Sequence, residues 1–355
     1  MRYVDPPSGR IMGGTLGVLR NDLRCSNARV MIGRLESVIY RLIIVPLVAF
    51  LPAPFPYGFA VLVGDLRYKL YKPFRKEIEY ALEQVFGSQL SFEERSRIAR
   101  DWFRLRSCEA IDMMRLVGNG RALTRLVKTR GLEHVEAALA AGRGAILCSA
   151  HFGSYRCCFS VLGALGFPAA LITNWSYDDD RLSPVDRLFS RLIRSLPVTH
   201  HLRRPNIVRR EGKIGVAIEA SIVLRENELI ATMLDHSDYG DPVAPKDRTR
   251  PVPMKFLNRE ALMLPWIITI AQLMDAPMLM TFMRRSADWR HQVLEISPPI
   301  SLEGDAETAF QRCLATVEAA IRRNPAHWEK WNVNALVQLG MLSAEDRFQR
   351  SGESN

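Results

Sequence analysis

The chain has 355 residues, 48% of them hydrophobic, and a formal net charge of +10, with 48 Lys and Arg against 38 Asp and Glu. That length allows one large domain or two ordinary ones around a sizeable core. The positive excess fits nucleic acid, an anionic membrane, or acidic substrates and carriers as partner. No zinc-type Cys/His spacing, RNA-recognition signature or basic zipper is present, which argues against nucleic acid.

Residues 1–28 mix Gly, Pro and both charge signs without apolar periodicity. They read as a mobile tail, with no apolar run behind the early arginines to make a cleavable signal. Residues 29–90 then read as a helical, membrane-associated segment. From Leu42 to Gly64 no residue is charged, a run long enough for the roughly 20 residues of a spanning helix. Pro46, Pro52, Pro54 and Pro56 break it, and neither half spans a bilayer alone. A hairpin dipping into one leaflet, cuffed by Arg67, Lys69, Lys72, Arg75 and Lys76, accounts for both features. The bland alternative is a helical hairpin buried in a soluble core. The six cysteines (Cys25, Cys108, Cys148, Cys157, Cys158 and Cys313) are scattered and fit a reducing compartment.

Residues 91–340 read as an α/β domain, and 341–355 as a second tail. Ser91-Phe92-Glu93-Glu94 is a capping box opening a helix through about Val117, and Gly131–Ala141 is a short helix. Strand and helix alternate from there. Strands are predicted at Ala145–Ser149, Ala169–Thr173, Leu229–Leu234, Val252–Phe256, Met278–Phe282 and Val293–Ile296. Helices are predicted at Ser154–Leu165, Pro184–Arg194, Lys213–Arg225 and Ala306–Arg323. The spacing of Met263, Trp266 and Ile270 predicts a core helical face within 260–274. Trp328 and Trp331, three apart, fit core packing or interface anchoring.

The strand 145–149 runs into Ala150-His151-Phe152-Gly153 and then a helix. In open α/β sheets ligands sit outside the carboxyl ends of strands, so His151 stands where a general base is useful. The bland reading of any lone histidine is structural. His236-Ser237-Asp238-Tyr239-Gly240-Asp241 also spells H-x-x-x-x-D, but a chance match to so loose a pattern is expected about half the time among seven histidines, and Pro242 opposes a helix start. Arg203, Arg204, Arg209 and Arg210, and the pair Arg284-Arg285, read first as solvated charge.

The segment Gly142-Arg143-Gly144-Ala145-Ile146-Leu147-Cys148-Ser149-Ala150-His151-Phe152-Gly153-Ser154-Tyr155 resembles a stretch of the bacterial lipid A biosynthesis (lauroyl/myristoyl) acyltransferases. Leu234-Asp235-His236 through Gly240, Val252 through Asn258, and Asn324-Pro325-Ala326-His327-Trp328 are similar to later segments of that family, in the same order. The resemblance implies a glycerol-3-phosphate acyltransferase-like mixed sheet flanked by helices. It also implies transfer of a fatty acyl group from an acyl-carrier-protein or coenzyme A thioester to a lipid or small-molecule acceptor, at the cytoplasmic face of the inner membrane. No metal or redox cofactor is implied.

The family carries H-x-x-x-x-[DE], in which the acid accepts the second ring N–H of the base. Here the fifth position after His151 is Arg156, which has five donors and no acceptor. Beside His151 it would disfavour the imidazolium. Asp235, ending a strand, is the candidate replacement acid, with backbone amides around Phe152–Ser154 as candidate oxyanion donors. Arg156, Ser154, His236, Arg191 and Arg194 are candidate substrate contacts, the last two as nearest matches to a downstream arginine of the family. Arg156 reads equally as a surface or structural arginine paired with an acid of the sheet, or as a grip on phosphate or carboxylate. Three functions stay open: an active lipid acyltransferase, a silent member that binds lipid or carrier, and a transferase diverged to a non-lipid acceptor.

Overall fold

The computed structural model describes residues 48, 50–173, 207–208, 212–236 and 251–343. The 1–28 tail, the predicted helix Pro184–Arg194, the second His-x-x-x-x-Asp match after its His236, and residues 344–355 lie outside them.

The chain forms a mixed α/β fold around a seven-stranded, mostly parallel sheet flanked by helices. In chain order the first helices are α1 (Pro54–Leu70), α2 (Lys72–Phe86) and the long α3 (Phe92–Thr124). Then come β1 (Val127–Arg130), α4 (Leu132–Ala140), β2 (Ala145–Ser149), α5 (Tyr155–Ala164), β3 (Ala169–Thr173), β4 (Ile207–Val208) and α6 (Gly212–Arg225). The last part holds β5 (Leu229–Met233), the hairpin β6 (Val252–Phe256) and β7 (Arg259–Met263), α7 (Trp266–Leu273), β8 (Met278–Arg285), β9 (Gln292–Pro299), α8 (Ala306–Arg323) and α9 (Val333–Gln338). Sheet order is β1-β9-β8-β2-β5-β3-β4. The run β8-β2-β5-β3-β4 is parallel, β9 is antiparallel to β8, and β1 is parallel to β9.

β2 is buried along its whole length because it is covered on both faces. Ile146 and Cys148 join a core with Phe282, Phe310 and Trp328, while Ala145 and Leu147 join a second core with Val135, Phe159 and Leu162. This is the period-two alternation of a strand with two apolar sides.

The capping box forms as predicted: Ser91 Oγ accepts the Glu94 N–H at 3.2 Å and Glu94 Oε2 accepts the Ser91 N–H at 2.8 Å. The helix it opens runs past Val117 to Thr124. The expected helical face through Met263, Trp266 and Ile270 is a correction. Met263 ends β7 and Trp266 opens α7, since Leu257 and Asn258, at φ 51° and 63°, make a two-residue hairpin turn joining β6 to β7. Leu257 tolerates that left-handed backbone with its side chain fully buried. At the chain's far end Met341 and Leu342 are buried, so packed structure continues past 340.

Within the uncharged N-terminal run, Pro54 and Pro56 do not interrupt a helix but open one. Pro54 and Pro56 lie in the first turn of α1, where the missing N–H groups are orphans anyway. One face of α1 packs on α3 through Tyr57, Ala60 and Gly64. A Cβ on Gly64 would come within 2.5 Å of Arg104 Cα, so glycine sets the closeness of the two helices. Asp65 is gripped by both Arg100 and Arg104 at 2.7–3.0 Å. The opposite face exposes Phe55, Phe59, Leu62, Leu66 and Leu70, each 54–68% accessible. Among the described residues no helix is long and apolar enough to cross a membrane.

Candidate active site

Parallel pairing of β2 with β5 puts Ser149 opposite Met233, and the Leu234 N–H donates to the Ser149 carbonyl at 2.8 Å. Two residues beyond those partners stand His151 and Asp235, at one carboxyl edge of the sheet. His151 Nδ1 lies 2.8 Å from Asp235 Oδ1. A carboxylate only accepts, so Nδ1 carries the proton and Nε2 keeps the lone pair.

Asp235 is fully buried and saturated. It accepts the His151 backbone N–H at 3.1 and 3.0 Å, and the Trp328 indole N–H at 2.8 Å on Oδ2. Burial alone would raise its carboxyl, but His151, Lys330 and Trp328 outweigh burial and hold it far below the usual carboxylate range. His151 itself is about one-fifth exposed at the side chain.

A return strand from the C-terminal part closes the other side. Gly153 donates to the His327 carbonyl at 2.8 Å, and Glu329 donates to the His151 carbonyl at 2.8 Å. Gly153, at φ 57°, is required here: a Cβ would fall 1.7 Å from the Met283 carbonyl oxygen. The His327 ring stacks on Phe152 and its Nε2 accepts the Arg285 backbone N–H at 3.0 Å. Burial, with Arg106 and Arg285 nearby, pushes His327 down to about 3, so it is a neutral packing residue.

Arg156 is not loose beside the base. Its guanidinium forks onto Glu329 at 3.0 and 2.9 Å, and Glu329 also accepts from Arg106 at 2.8 Å. Burial would raise Glu329, but Arg156 and Arg106 outweigh it and hold the carboxyl below its ordinary value. The Tyr155 ring separates Arg156 from His151, with its centroid 4.8 Å from the His151 ring and 4.5 Å from Arg156 Cζ. Arg156 thus has an acid partner, Glu329, but one that stands in the segment after α8 and not in the sheet.

Ser154 borders the same region, but its hydroxyl is turned inward. It donates to Asp112, accepts from Arg285 at 3.2 Å, and is buried in a network with the Tyr57 hydroxyl, which donates to Asp112 at 2.7 Å. The expected run of free amides is likewise corrected. Phe152 N–H donates to Ala150 O and Gly153 N–H to His327 O, because the chain turns tightly to leave β2. His236 follows Asp235 at the end of β5 and is half-buried. Arg191 and Arg194 lie outside the described residues.

Beside the dyad a cleft of about 430 Å³ opens between α1, α2, α3 and the start of α5. Gly153, Ser154, Arg156 and Glu329 line it; His151 does not. Among the described residues no group of three or more His, Cys, Asp or Glu gathers as a metal site.

Trp328 and Glu329 are the functional neighbours that sequence reasoning missed. The resemblance pointed to their segment, but nothing in the sequence said that an indole N–H holds Asp235 or that Glu329 meets a residue so far upstream. The chain matches no curated protein at a significant level. The sequence profile of the family described as bacterial lipid A biosynthesis acyltransferase matches residues 34–331, most of the chain. With that match spanning every segment around His151, Asp235 and Trp328, this chain belongs to the bacterial lipid A biosynthesis acyltransferase family.

Proposed function

We propose that the chain transfers a fatty acyl group from an acyl-carrier-protein or coenzyme A thioester to the hydroxyl of a lipid or small-molecule acceptor. The observation that carries this is the 2.8 Å contact between His151 Nδ1 and a buried, fully bonded Asp235. Nε2 takes the acceptor's hydroxyl proton while the oxygen attacks the thioester carbonyl. The tetrahedral oxyanion collapses, the C–S bond breaks, and the imidazolium returns the proton to the departing thiolate. Incubating the purified protein with a long-chain acyl thioester and hydroxyl lipids tests this. Appearance of an acyl ester supports it; thioester left intact with every acceptor tried sinks it.

The silent reading draws its support from Arg156. Two observations weaken it: Asp235 occupies the acid's position on the ring, and Glu329 neutralises Arg156. Arg156→Glu, which restores the family's residue type, places a second carboxylate against Glu329 and strips that acid of its fork. It is expected to lower acyl transfer about tenfold. A gain in activity would mark Arg156 as a lesion in a decayed enzyme.

We also propose attachment to the cytoplasmic face of the inner membrane through α1. Its exposed apolar face adjoins the exposed Lys69, Lys72 and Lys76, which suits anionic headgroups. Burying each large apolar side chain contributes about 1.5–3 kcal/mol at most. The triple change Phe59→Ser, Leu62→Ser and Leu66→Ser is therefore expected to weaken co-sedimentation with phosphatidylglycerol-containing vesicles by about a hundredfold. Unchanged binding would remove α1 from the membrane contact.

A further inference from the structure

We infer that Asp112 is a positioning residue for the base: it takes the Ser154 hydroxyl and so fixes the turn that carries His151 from β2 into α5. The inference rests on the reading of His151 as base. Asp112 stands on α3 and is buried, and donors from three other elements meet on its carboxylate. Tyr57 of α1 donates its hydroxyl to Oδ1 at 2.7 Å. Ser154, at the start of α5, and Arg285, at the end of β8, donate to Oδ2. Arg285 also donates to the Ser154 hydroxyl at 3.2 Å and to the Trp289 carbonyl at 2.8 Å, which holds the guanidinium in turn. Of the pair Arg284-Arg285, which reads from the sequence as solvated charge, the second is thus buried in this network.

Two features say that the network holds position more than it adds stability. Burying an ion pair gains little over apolar packing of the same volume, because desolvation offsets the attraction. A serine at a helix N-cap usually accepts an N–H of the first turn. Ser154 is the N-cap of α5, yet its side chain caps nothing there and donates to Asp112 instead.

The turn is pinned at three points: the His151 N–H by Asp235, the Gly153 N–H by the His327 carbonyl, and the Ser154 hydroxyl by Asp112. The third pin adjoins Tyr155, whose N–H donates to the Gly153 carbonyl at 2.8 Å. The Tyr155 ring meets the His151 ring edge-on, with centroids 4.8 Å apart and planes at 68°. Asp235 holds one end of the imidazole, and Tyr155 limits the swing of its plane about that bond. Asp112 therefore sets the direction of Nε2 through Ser154 and Tyr155. A misplacement of about 1 Å in a reacting group can cost roughly 10²-fold in rate.

The test compares the full-length wild type with Ser154→Ala, Tyr57→Phe, Asp112→Asn and Asp305→Ala. It reads kcat and KM in acyl transfer, and the proton shifts of the His151 ring C–H groups, which the Tyr155 ring current displaces. Asp305 caps α8 through the Thr308 N–H at 2.7 Å, outside the network, and controls for lost stability alone. We expect Ser154→Ala to lower kcat about tenfold with KM within about twofold, and to move the His151 shifts. Asp112→Asn should lower kcat further, and adding Ser154→Ala to it should cost no more, since Ser154 works through that carboxylate. Tyr57→Phe, which takes one donor from Asp112, should lower kcat about threefold. Asp305→Ala should lower the urea midpoint and leave kcat and the shifts at wild-type values. Ser154→Ala keeps the Asp112–Arg285 pair, so it decides the matter even where Asp112→Asn fails to fold. A wild-type kcat or unmoved His151 shifts in Ser154→Ala, or the same losses in Asp305→Ala, would overturn the positioning role. No ester from the wild type, with shifts that still move in Ser154→Ala, would instead sink the acyl-transfer reading and leave the positioning standing.

Discussion

Replacing His151 by alanine is expected to reduce acyl transfer about a thousandfold while leaving the fold intact. A positioned general base contributes roughly 10²- to 10⁴-fold, and no second imidazole among the described residues shares the Asp235 carboxylate. The fold survives because the contacts that bury Asp235 do not all depend on the ring. The backbone N–H of residue 151 still donates to both carboxylate oxygens, and Trp328 still donates to Oδ2. A kcat near the wild-type value, with unchanged circular dichroism, would remove His151 as the base.

Asp235→Asn should be nearly as damaging to catalysis and far worse for stability. Three N–H donors converge on the carboxylate: the His151 ring, the His151 backbone and the Trp328 indole. An amide offers one acceptor oxygen and turns an NH₂ toward groups that are themselves donors. To avoid that clash the imidazole takes its proton on Nε2, which removes the lone pair needed for the acceptor hydroxyl. The expected loss in kcat is 10²- to 10⁴-fold, with about 3–5 kcal/mol lost in unfolding free energy from breaking a buried charged network.

The pH dependence follows from the depressed carboxyl. Its folded pKa lies below the unfolded value of about 3.9, so its stabilisation is full above that value and is lost as pH falls through the folded one. The gap between wild type and Asp235→Asn in urea midpoint is therefore expected to be constant from neutrality down to about pH 5 and to shrink below about pH 4. A gap that widened on acidification would contradict the assignment.

Much of the sheet was legible because its strands follow local rules. Ala145–Ser149 and Ala169–Thr173 are short apolar or β-branched runs between turn signals, and they stand where predicted. Asp235 was reachable by the same logic, since it ends a neighbouring strand as His151 does. The helical reading of 260–274 went astray because Met263, Trp266 and Ile270 are all apolar in either period, and a turn at Leu257-Asn258 is not among the usual glycine-marked hairpin signals. The prolines at 54 and 56 looked like breakers, but a first helical turn needs none of the N–H groups they lack. The partner of Arg156 was out of reach altogether. Glu329 meets it only because the segment after α8 folds back over the carboxyl edge of the sheet, pairing Phe152 with Trp328. Long-range pairing of this kind leaves no trace in local pattern.

In this reading Asp235, and not the residue five places after His151, directs the base. The ¹⁵N spectrum of the neutral His151 ring tests it most directly. A protonated Nδ1 and an unprotonated Nε2 are expected in the wild type and in Arg156→Ala, and the reverse in Asp235→Asn. A wild-type ring protonated on Nε2, or a tautomer indifferent to Asp235→Asn, would contradict it.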